Sequence, residues 1–469
     1  MKLYNTLTRI IEEIKPQNPG HTTVYTCGPT VYDYPHIGNW FTFIRYDLLV
    51  RALRSEGQNV AWVMNITDVG HLVSDADIGE DKLEKGARRE GKTAWDVAKF
   101  YADYFVKGLE RLNITTPTRL PKATEHIAEQ IELVKTLEAK GYTYIIDDGV
   151  YYDTSKFEGY AAFARLDLDE QQTGARVGFN AQKRNAADFA LWKFSPKNHT
   201  RDMEWDSPWG KGFPGWHVEC SAMSMKYLGE TIDIHSGGID HVQVHHTNEI
   251  AQSEAATGKR FANYWMHTNH ILINGDKISK SLGNGITLED IEQKGYSLEA
   301  FRLLVLQSHY RTQSKFSWEE LEAAKNRLKT YQAFADLRWQ PIPESAQSAD
   351  VASTDYEQYL HTIFNELTND LNTPKALAVL SQIADAHAEG IPAQEHESFE
   401  AFLDAIDHMF GLRLLQTANI NDAQKKLILE RQMARRRKEW ATSDRLRDEL
   451  ASQGIGLRDT SHGPIWCRI

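Results

Sequence analysis

Residue types that commonly bind transition metals recur in short strings of this 469-residue chain. Cys27 lies in TVYTCGPT, Cys220 in WHVECSA and Cys467 near the C-terminus. His245 and Glu249 lie in HHTNEIAQSE, four residues apart, which places both side chains on one face of a helix. Sulfur, nitrogen and carboxylate donors together suit zinc. Sequence spacing alone does not show that these four side chains meet in space. A lone buried cysteine is usually a small apolar side chain in the core, and a helical His/Glu pair is usually a surface contact.

Two further strings have the chemistry to bind phosphate. His36, Gly38 and Asn39 belong to HIGN, between a predicted strand and a predicted helix, where free backbone N–H groups and the helix dipole attract anions. Lys277 and Lys280 belong to KISKS, which precedes LGN and predicts a glycine-bounded loop carrying two cations. Each string alone is weak evidence, since the first is compatible with an ordinary turn and the second with a solvated charged loop.

A predicted strand–helix–strand unit positions the first of these strings. TTVYTC at 22–27 predicts a short buried strand, and apolar residues recur at helical spacings of three and four over 41–52. A second strand is predicted over 60–66. This is the βαβ unit of a doubly wound parallel sheet, which binds ligands beyond the carboxyl ends of its strands. Cys27 and His36 are expected there.

The pattern changes after this unit and then returns. Residues 121–215 predict short strands and turns, including a hairpin in which Asp148 and Gly149 separate YTYII from VYYD. Strand-like ETIDIH and ANYWMH follow with a helix between them, as expected if the same sheet resumes. The predicted fold class is therefore α/β: a Rossmann-type doubly wound parallel sheet split by an insertion, followed by all-α C-terminal domains after a proline- and serine-rich linker.

Composition excludes some functions and leaves others open. The net charge of −12 argues against a protein that coats nucleic acid nonspecifically. Between Lys425 and Arg447, however, basic residues outnumber acidic ones. Trp440 offers a ring for stacking, while Arg435 and Asp444 offer hydrogen bonds to unpaired bases. A solvated basic helix is the alternative explanation.

The chain lacks the features of membrane and secreted proteins. No apolar run approaches the roughly 18 residues of a membrane span, and MKLYNTLTRIIEEIKPQ at the start lacks the apolar core of a secretory signal. Three scattered cysteines predict no disulfide framework. We therefore expect a cytoplasmic protein without membrane attachment, with a length that implies more than one domain.

HIGN and KISKS, in this order on the two halves of a split α/β domain, resemble the HIGH-like and KMSKS-like strings of class I aminoacyl-tRNA synthetases. The resemblance implies that both loops hold ATP, with Mg2+, while the amino acid's carboxylate attacks the α-phosphorus. Asn39 stands where that family usually has histidine, and Ile278 where it usually has methionine. By this resemblance His36, Asn39, Lys277 and Lys280 are predicted catalytic residues, and His36, Gly38, Asn39, Asp240, Lys277 and Lys280 are predicted ATP ligands.

Within that class the chain resembles the cysteinyl-tRNA synthetases, which match its cysteine, histidine and glutamate strings. The resemblance implies one Zn2+ per chain that binds the sulfur of L-cysteine, with His246 supporting the neighbouring ligand. It leaves open whether Asp240 contacts ribose or the substrate amine. The implied zinc ligands are Cys27, Cys220, His245 and Glu249, and the implied substrate-binding residues are Gly28, Thr30, Thr67, Trp216 and His217.

The same resemblance covers the C-terminal strings and implies a domain plan. Arg435, Trp440, Asp444 and Asp459 are the expected anticodon contacts. The plan is a first catalytic half at 1–120, a connective insertion at 121–215, a second catalytic half at 216–285, a helical stem-contact region at 286–339, a linker at 340–353, a helical bundle at 354–412 and an anticodon-binding domain at 420–469.

The expected function is a monomeric ligase that activates L-cysteine with ATP to cysteinyl-AMP and transfers it to the 3′ end of cysteine tRNA in translation. One alternative is a ligase with the same zinc site and an amino-sugar acceptor, as in mycothiol synthesis. That relative lacks an anticodon-reading extension, whereas this chain continues past residue 412 with a basic segment. Another alternative is a non-enzymatic zinc-dependent RNA-binding paralogue, against which the retained Lys277 and Lys280 argue.

Overall fold

The computed structural model describes residues 1–70, 81–166, 180–196, 200–273, 276–277, 285–343 and 354–469. The chain divides into two units. The first contains Met1–Leu288 and Tyr310–Lys315, and the second contains Glu289–His309 and Phe316–Ile469.

The described strands are short, and most of them lie in the first unit. They are β1 (Lys2–Asn5), β2 (Ile10–Glu13), β3 (His21–Thr26), β4 (Asn59–Met64), β5 (Thr143–Ile146), β6 (Gly149–Tyr152), β7 (Phe189–Phe194), β8 (Gly212–Pro214), β9 (Ile232–Gly238), β10 (Ala262–Thr268), β11 (Ile271–Ile273), β12 (Asp276–Lys277), β13 (Ser314–Phe316), β14 (Ile455–Thr460) and β15 (Gly463–Arg468).

The described α-helices run through both units. They are α1 (Ile37–Ser55), α2 (Lys82–Glu90), α3 (Ala94–Arg111), α4 (Ile127–Ala139), α5 (Trp216–Leu228), α6 (His245–Thr257), α7 (Leu288–Gln293), α8 (Leu298–Leu306), α9 (Trp318–Ala335), α10 (Tyr356–Thr368), α11 (Thr373–Ala386), α12 (His396–Phe410), α13 (Asp422–Arg436) and α14 (Trp440–Ser452).

A four-stranded parallel sheet in the order β10-β9-β3-β4 forms the centre of the first unit. β3, α1 and β4 are the predicted strand–helix–strand unit. β9, which follows the insertion, pairs with the other side of β3. The two neighbours of β3 thus come from distant parts of the chain, so its carboxyl end is the switch point where such sheets bind ligands. Cys27 follows β3 directly at that end.

The start of α1 is held by the HIGN string itself. His36 is the N-cap, with the extended backbone (φ −86°, ψ 170°) that this position requires. The His36 backbone N–H donates to Asn39 Oδ1 at 3.1 Å, which satisfies a donor that the helix leaves free. Buried side chains then occur along most of α1 as far as Leu53. The helix therefore begins at a defined residue beside the switch point.

The insertion forms a second sheet in the antiparallel order β5-β6-β7-β8. The hairpin is present, but its turn is Asp147-Asp148 and not Asp148-Gly149, because Gly149 already pairs with Ile146 in β6. A Cβ at Gly149 would lie 2.3 Å from the Trp192 carbonyl oxygen, so this strand position accepts only glycine. Close packing of β6 on β7 decided the register.

The second unit is built mainly from helices. α9 to α12 bury apolar side chains such as Leu321, Ile363, Leu380 and Phe402. α13, α14 and the β14–β15 hairpin form a smaller core of their own, in which Leu450 and Trp466 pack with Ile420, Ile428 and Ile455. The last part of the chain is therefore a small folded module and not a single solvated basic helix.

The predicted α/β fold class with a parallel sheet and a helix-rich C-terminal part is confirmed. One detail was wrong: the C-terminal region is not all α, because Ile455–Thr460 and Gly463–Arg468 pair as an antiparallel hairpin. The alternation there is weak, since in β15 only Trp466 is buried. Contact with α13 and α14, and not a strong strand pattern, accounts for this hairpin.

Candidate metal centre and active-site cavity

A cavity of about 330 Å³ lies at the carboxyl edge of the parallel sheet. Its walls come from the segments that follow β3, β4, β9 and β10 and from the first turns of α1 and α5. Segments far apart in sequence thus face one space. The predicted site residues that line it are Cys27, Gly28, Thr30, His36, Gly38, Asn39, Thr67, Trp216, Cys220, Asp240 and His245.

The four predicted zinc ligands meet at the base of this cavity. Cys27 follows β3, Cys220 lies in α5, and His245 and Glu249 lie one turn apart in α6. One donor atom from each of the four lies within 4.8 Å of the others, and all four residues are buried. The i, i+4 pair is therefore part of the core and not a surface contact.

A second group of donors overlaps the first. Cys27 and Glu249 also lie within 4.8 Å of donor atoms of His235 and His246. His235 Nε2 is 2.5 Å from Glu249 Oε2, and Cys27 Sγ is 3.2 Å from His246 Nε2. His235 was not among the ligands predicted from the sequence. The sequence feature that could have identified it is its position in β9, a strand of the sheet whose carboxyl end is the predicted site.

The donor set fits a zinc ion, and unsatisfied polar atoms support that fit. Glu249 Oε1 lies 2.6 Å from His245 Nε2, yet it has no hydrogen-bond partner of good geometry among the described residues. His217 Nδ1 lies 2.9 Å from His245 Nδ1, which fixes the ring so that Nε2 faces Glu249. Two sulfurs, one imidazole nitrogen and one carboxylate oxygen are ligands that zinc prefers.

The electrostatics of the centre favour a bound cation. Burial alone would raise the pKa of Glu249, but His235 and His245 hold that pKa well below its usual range. Burial opposes the charged ring of His245, yet Glu249 and Cys220 raise its pKa to about 10. Hydrogen bonding with Cys27 lowers the pKa of the Cys220 thiol. The Glu249 carboxylate and the two cysteine sulfurs thus share a buried space of low dielectric, where a divalent cation is strongly attracted.

The segment that follows KISKS lies beside the HIGN string. Ile37 N–H, in the first turn of α1, donates to Ile286 O at 2.8 Å, so the chain that leaves the KISKS string passes beside HIGN. Lys277 is the last residue of β12. Lys280, together with Ile278, lies outside the described residues. The structure therefore places Ile286, five residues after the end of KISKS, beside the start of α1.

Gly28 and Thr67 shape the wall of the cavity. A Cβ at Gly28 would lie 1.7 Å from Asn65 O, so no other residue fits between β3 and β4. The Gly28 N–H donates to Asn65 Oδ1 at 2.8 Å, and Asn65 Nδ2 donates to Thr67 Oγ1 at 3.0 Å. Thr30 and Thr67 also form an isolated parallel bridge. This network joins the ends of the two strands.

Trp216 and His217 occupy different layers. The Trp216 ring lies over the His245 ring, with centroids 4.2 Å apart, and faces the cavity. His217 is buried beneath it against His245. The structure thus places His217 behind a predicted zinc ligand, whereas sequence analysis expected it to touch substrate. Asp240 is exposed at the rim, with its Oδ1 3.7 Å from His270 Nδ1.

The predicted anticodon residues lie in the small C-terminal module. Trp440 begins α14 with 56% of its surface exposed, and Arg435 lies 5.8 Å from the centre of its ring. Asp444 forms an ion pair with Arg447. Asp459, on β14, accepts two hydrogen bonds from the buried Arg431, at 2.7 and 2.9 Å. Arg431, which appeared in the sequence only as one more basic residue, is a structural partner of a predicted anticodon contact.

No helix in the described part of the chain is both long and apolar enough to cross a membrane.

Comparisons with known protein families match most of the chain. Residues 13–326 match the class I (C) tRNA synthetase catalytic domain, and residues 417–466 match the cysteinyl-tRNA ligase anticodon-binding domain. Two curated relatives are a cysteine–tRNA ligase of Treponema denticola, 43% identical, which aligns over 100% of both chains, and cysteine–tRNA ligase 1 of Burkholderia lata, 44% identical over 99% of this chain and 96% of its own.

Solved structures resemble the fold at low sequence identity. A methionyl-tRNA synthetase of Mycobacterium tuberculosis, solved with methionyl-adenylate, aligns with 84% of this chain and 88% of its own length. The TM-score is 0.58 and the sequence identity 14%. This likeness shows a shared class I synthetase fold.

Proposed function

The chain belongs to the cysteine–tRNA ligase family of class I tRNA synthetases, and on that premise we propose that Cys27, Cys220, His245 and Glu249 hold one Zn2+ that selects L-cysteine. The enzyme activates L-cysteine with ATP to cysteinyl-AMP and transfers it to cysteine tRNA. The observation that carries the zinc proposal is the convergence of four buried donors at the base of the cavity.

Selection by the metal centre follows from the chemistry of the substrate. When bound, zinc supplies a Lewis acid that lowers the pKa of a thiol and prefers thiolate to hydroxyl. An apolar pocket alone would separate cysteine from serine or alanine by only about 1–3 kcal/mol. Trp216, whose ring centroid lies 4.2 Å from that of His245, is proposed to cover the donors and to limit the size of the pocket.

The first turns of α1 are proposed to bind the phosphates of ATP. Free N–H groups at a helix N-terminus and the helix dipole attract an anion. Gly38 lets the nucleotide approach, and the Asn39 side chain, whose oxygen caps the His36 N–H, holds the turn in place. Lys277 and Lys280 are proposed to offset the charge of the leaving pyrophosphate, with Mg2+ on ATP, and Asp240 at the rim is proposed to bind ribose or the substrate amine.

The C-terminal module is proposed to read the anticodon. Trp440 is exposed for stacking, Arg435 lies beside it, and Asp444 and Asp459 offer carboxylates to base edges. The match of residues 417–466 to an anticodon-binding domain favours tRNA over an amino sugar as acceptor. We propose the domain boundaries given above, a cytoplasmic location and a monomeric enzyme on the same basis.

The test combines metal content with two partial reactions. We expect the purified enzyme to hold about one zinc per chain, and we expect a chelator that removes it to abolish cysteine-dependent exchange of pyrophosphate into ATP. Added zinc should restore exchange and the transfer of labelled cysteine to tRNA. Full exchange by an enzyme verified to be free of metal would disprove the zinc proposal.

A further inference from the structure

Tyr46 is a buried tyrosine of α1 that lines the cavity at the carboxyl edge of the parallel sheet. Only 1% of its surface is exposed. Among the described residues its hydroxyl has no hydrogen-bond partner, yet the oxygen is not one of the fully enclosed polar atoms. The accessible part of this side chain therefore includes its polar end, which opens on the cavity. Buried polar groups normally have a partner, so a ligand is the natural one here.

The position of Tyr46 on α1 separates it from the proposed phosphate site. One face of the helix lines the cavity, at spacings of three and four residues, with Asn39, Thr42, Phe43 and Tyr46. Tyr46 follows His36 by ten residues, which is about 15 Å along the helix axis at 1.5 Å per residue. Its hydroxyl therefore lies far from the first turn of α1, where the phosphates of ATP are proposed to bind.

L-Cysteine brings three polar groups into this cavity, and two of them already have a direction. The thiol goes to the proposed metal centre, whose Cys27, Cys220 and His245 line the same cavity. The α-carboxylate attacks the α-phosphorus, so it must point toward the first turn of α1. The α-amine is left, and it needs a partner away from that turn.

The charges around the cavity favour a cation such as the α-ammonium group. Carboxylates on its walls are Asp240 and Asp33, the second of which pairs with Arg89 at 3.3 Å. Neither lysine nor arginine is among the described residues that line it. Burial raises the pKa of the Tyr46 phenol well above its usual range, so the group stays neutral. The oxygen of a neutral phenol accepts a hydrogen bond from an ammonium group.

We propose that the Tyr46 hydroxyl accepts a hydrogen bond from the α-ammonium group of L-cysteine and is a substrate-binding residue. The inference rests on the proposed function. With the sulfur held at the metal centre and the carboxylate directed toward ATP, this third contact fixes the orientation of the α-carbon. Such orientation places the carboxylate for attack.

The experiment removes only the hydroxyl and reads out each polar group of the substrate separately. Cysteamine keeps the thiol and the amine but lacks the carboxylate, and 3-mercaptopropionate keeps the thiol and the carboxylate but lacks the amine. Their inhibition constants are measured against L-cysteine in pyrophosphate exchange. We expect Tyr46→Phe to weaken cysteamine about 10-fold and to raise the KM for cysteine similarly, because one hydrogen bond to a charged group is lost. It should leave 3-mercaptopropionate unchanged.

Tyr144→Phe is the matched control. Tyr144 is also buried, but its hydroxyl donates to Asp188 at 2.7 Å in the sheet of the insertion. This variant should lower the urea midpoint of unfolding and leave both inhibition constants unchanged. Tyr46→Phe should do the opposite, because it removes no hydrogen bond within the protein. Unchanged cysteamine binding by Tyr46→Phe, or equal weakening of both analogues, would overturn the proposal.

A 3-fluorotyrosine at position 46 decides if Tyr46→Phe fails to fold, because it retains the ring and the hydroxyl. Fluorine withdraws electrons, so the oxygen becomes a poorer acceptor and cysteamine should bind more weakly. Tighter binding of 3-mercaptopropionate would show that the hydroxyl donates to the carboxylate, and that result would also overturn the proposal. A wild-type enzyme without cysteine-dependent exchange would instead disprove the proposed function itself.

Discussion

The proposed metal centre of the first unit and the proposed anticodon surface of the second are built in opposite ways. The centre gathers Cys27, Cys220, His245 and Glu249, of which the first lies roughly 200 positions before the others, and buries all four. The surface comes from one short stretch around α13, α14 and β14, and its main aromatic residue, Trp440, is 56% exposed.

The two regions should respond differently to the removal of a single side chain. Buried donors act together, so removing one leaves the others charged and without a partner in a medium of low dielectric. Exposed contacts act nearly independently and are screened by water and salt. We therefore expect all-or-none effects in the first region and graded, salt-dependent effects in the second.

Loss of one zinc ligand should have the largest effect. Cys220→Ser replaces a soft thiolate by a hydroxyl, so the metal content should fall far below one per chain and cysteine-dependent pyrophosphate exchange by about 1,000-fold or more. Metal analysis and exchange assays measure both. Cys467→Ser, in the half-buried third cysteine, is the control and should retain both. Full pyrophosphate exchange by Cys220→Ser would contradict the expected all-or-none response of the buried centre.

Loss of the stacking ring should have an intermediate effect. Trp440→Ala should lower kcat/KM for tRNA charging by about 10-fold to 100-fold, because stacking on one base contributes about 1–3 kcal/mol. Cysteine-dependent pyrophosphate exchange, measured without tRNA, should persist. Trp339→Ala is the matched control, since Trp339 is 39% exposed in the same unit. Equal losses in the two variants would exclude a specific role for Trp440.

Arg431 provides a smaller, pH-dependent test. Its hydrogen bonds lower the pKa of Asp459, so they stabilise the fold above the unfolded pKa near 4 and cease to do so as pH falls through the folded value. Arg431→Met should cost about 1 kcal/mol at pH 7, because solvent screens the part-exposed Asp459. The difference from wild type should shrink toward pH 3 in urea unfolding. Arg445→Met, at an exposed pair, should change little, and a cost independent of pH would contradict this role.

Single exposed arginines should have the smallest effects. Arg436→Ala should weaken tRNA binding a few-fold at low salt and reduce the slope of log affinity against log salt by about 0.7–0.9, as for one lost phosphate contact. Filter binding over a salt series measures the slope. The rate of pyrophosphate exchange should be the same in Arg436→Ala and in the wild type. An unchanged slope would show that Arg436 makes no contact with an RNA phosphate.

Local patterns made much of the fold predictable. The strand–helix–strand unit around α1 follows from periodicity, and the return of β9 and β10 follows from two strand-like strings. Two predictions were wrong: the position of the turn before Gly149 and the all-α character of the C-terminal region. Contacts with β7 decided the first, and contacts with α13 and α14 decided the second. Propensity is a weak guide wherever such contacts between distant residues decide the backbone.

The sequence by itself determined which donors are available, that His245 and Glu249 share a helix face, and that HIGN stands between a strand and a helix. Only the tertiary structure decided that Cys27 and Cys220 meet that face and that His235 and His246 join them. The physical reason is that periodicity reports neighbours within a few residues. The pairing of β3 with β9 and the packing of α5 against β3 join residues about 200 positions apart.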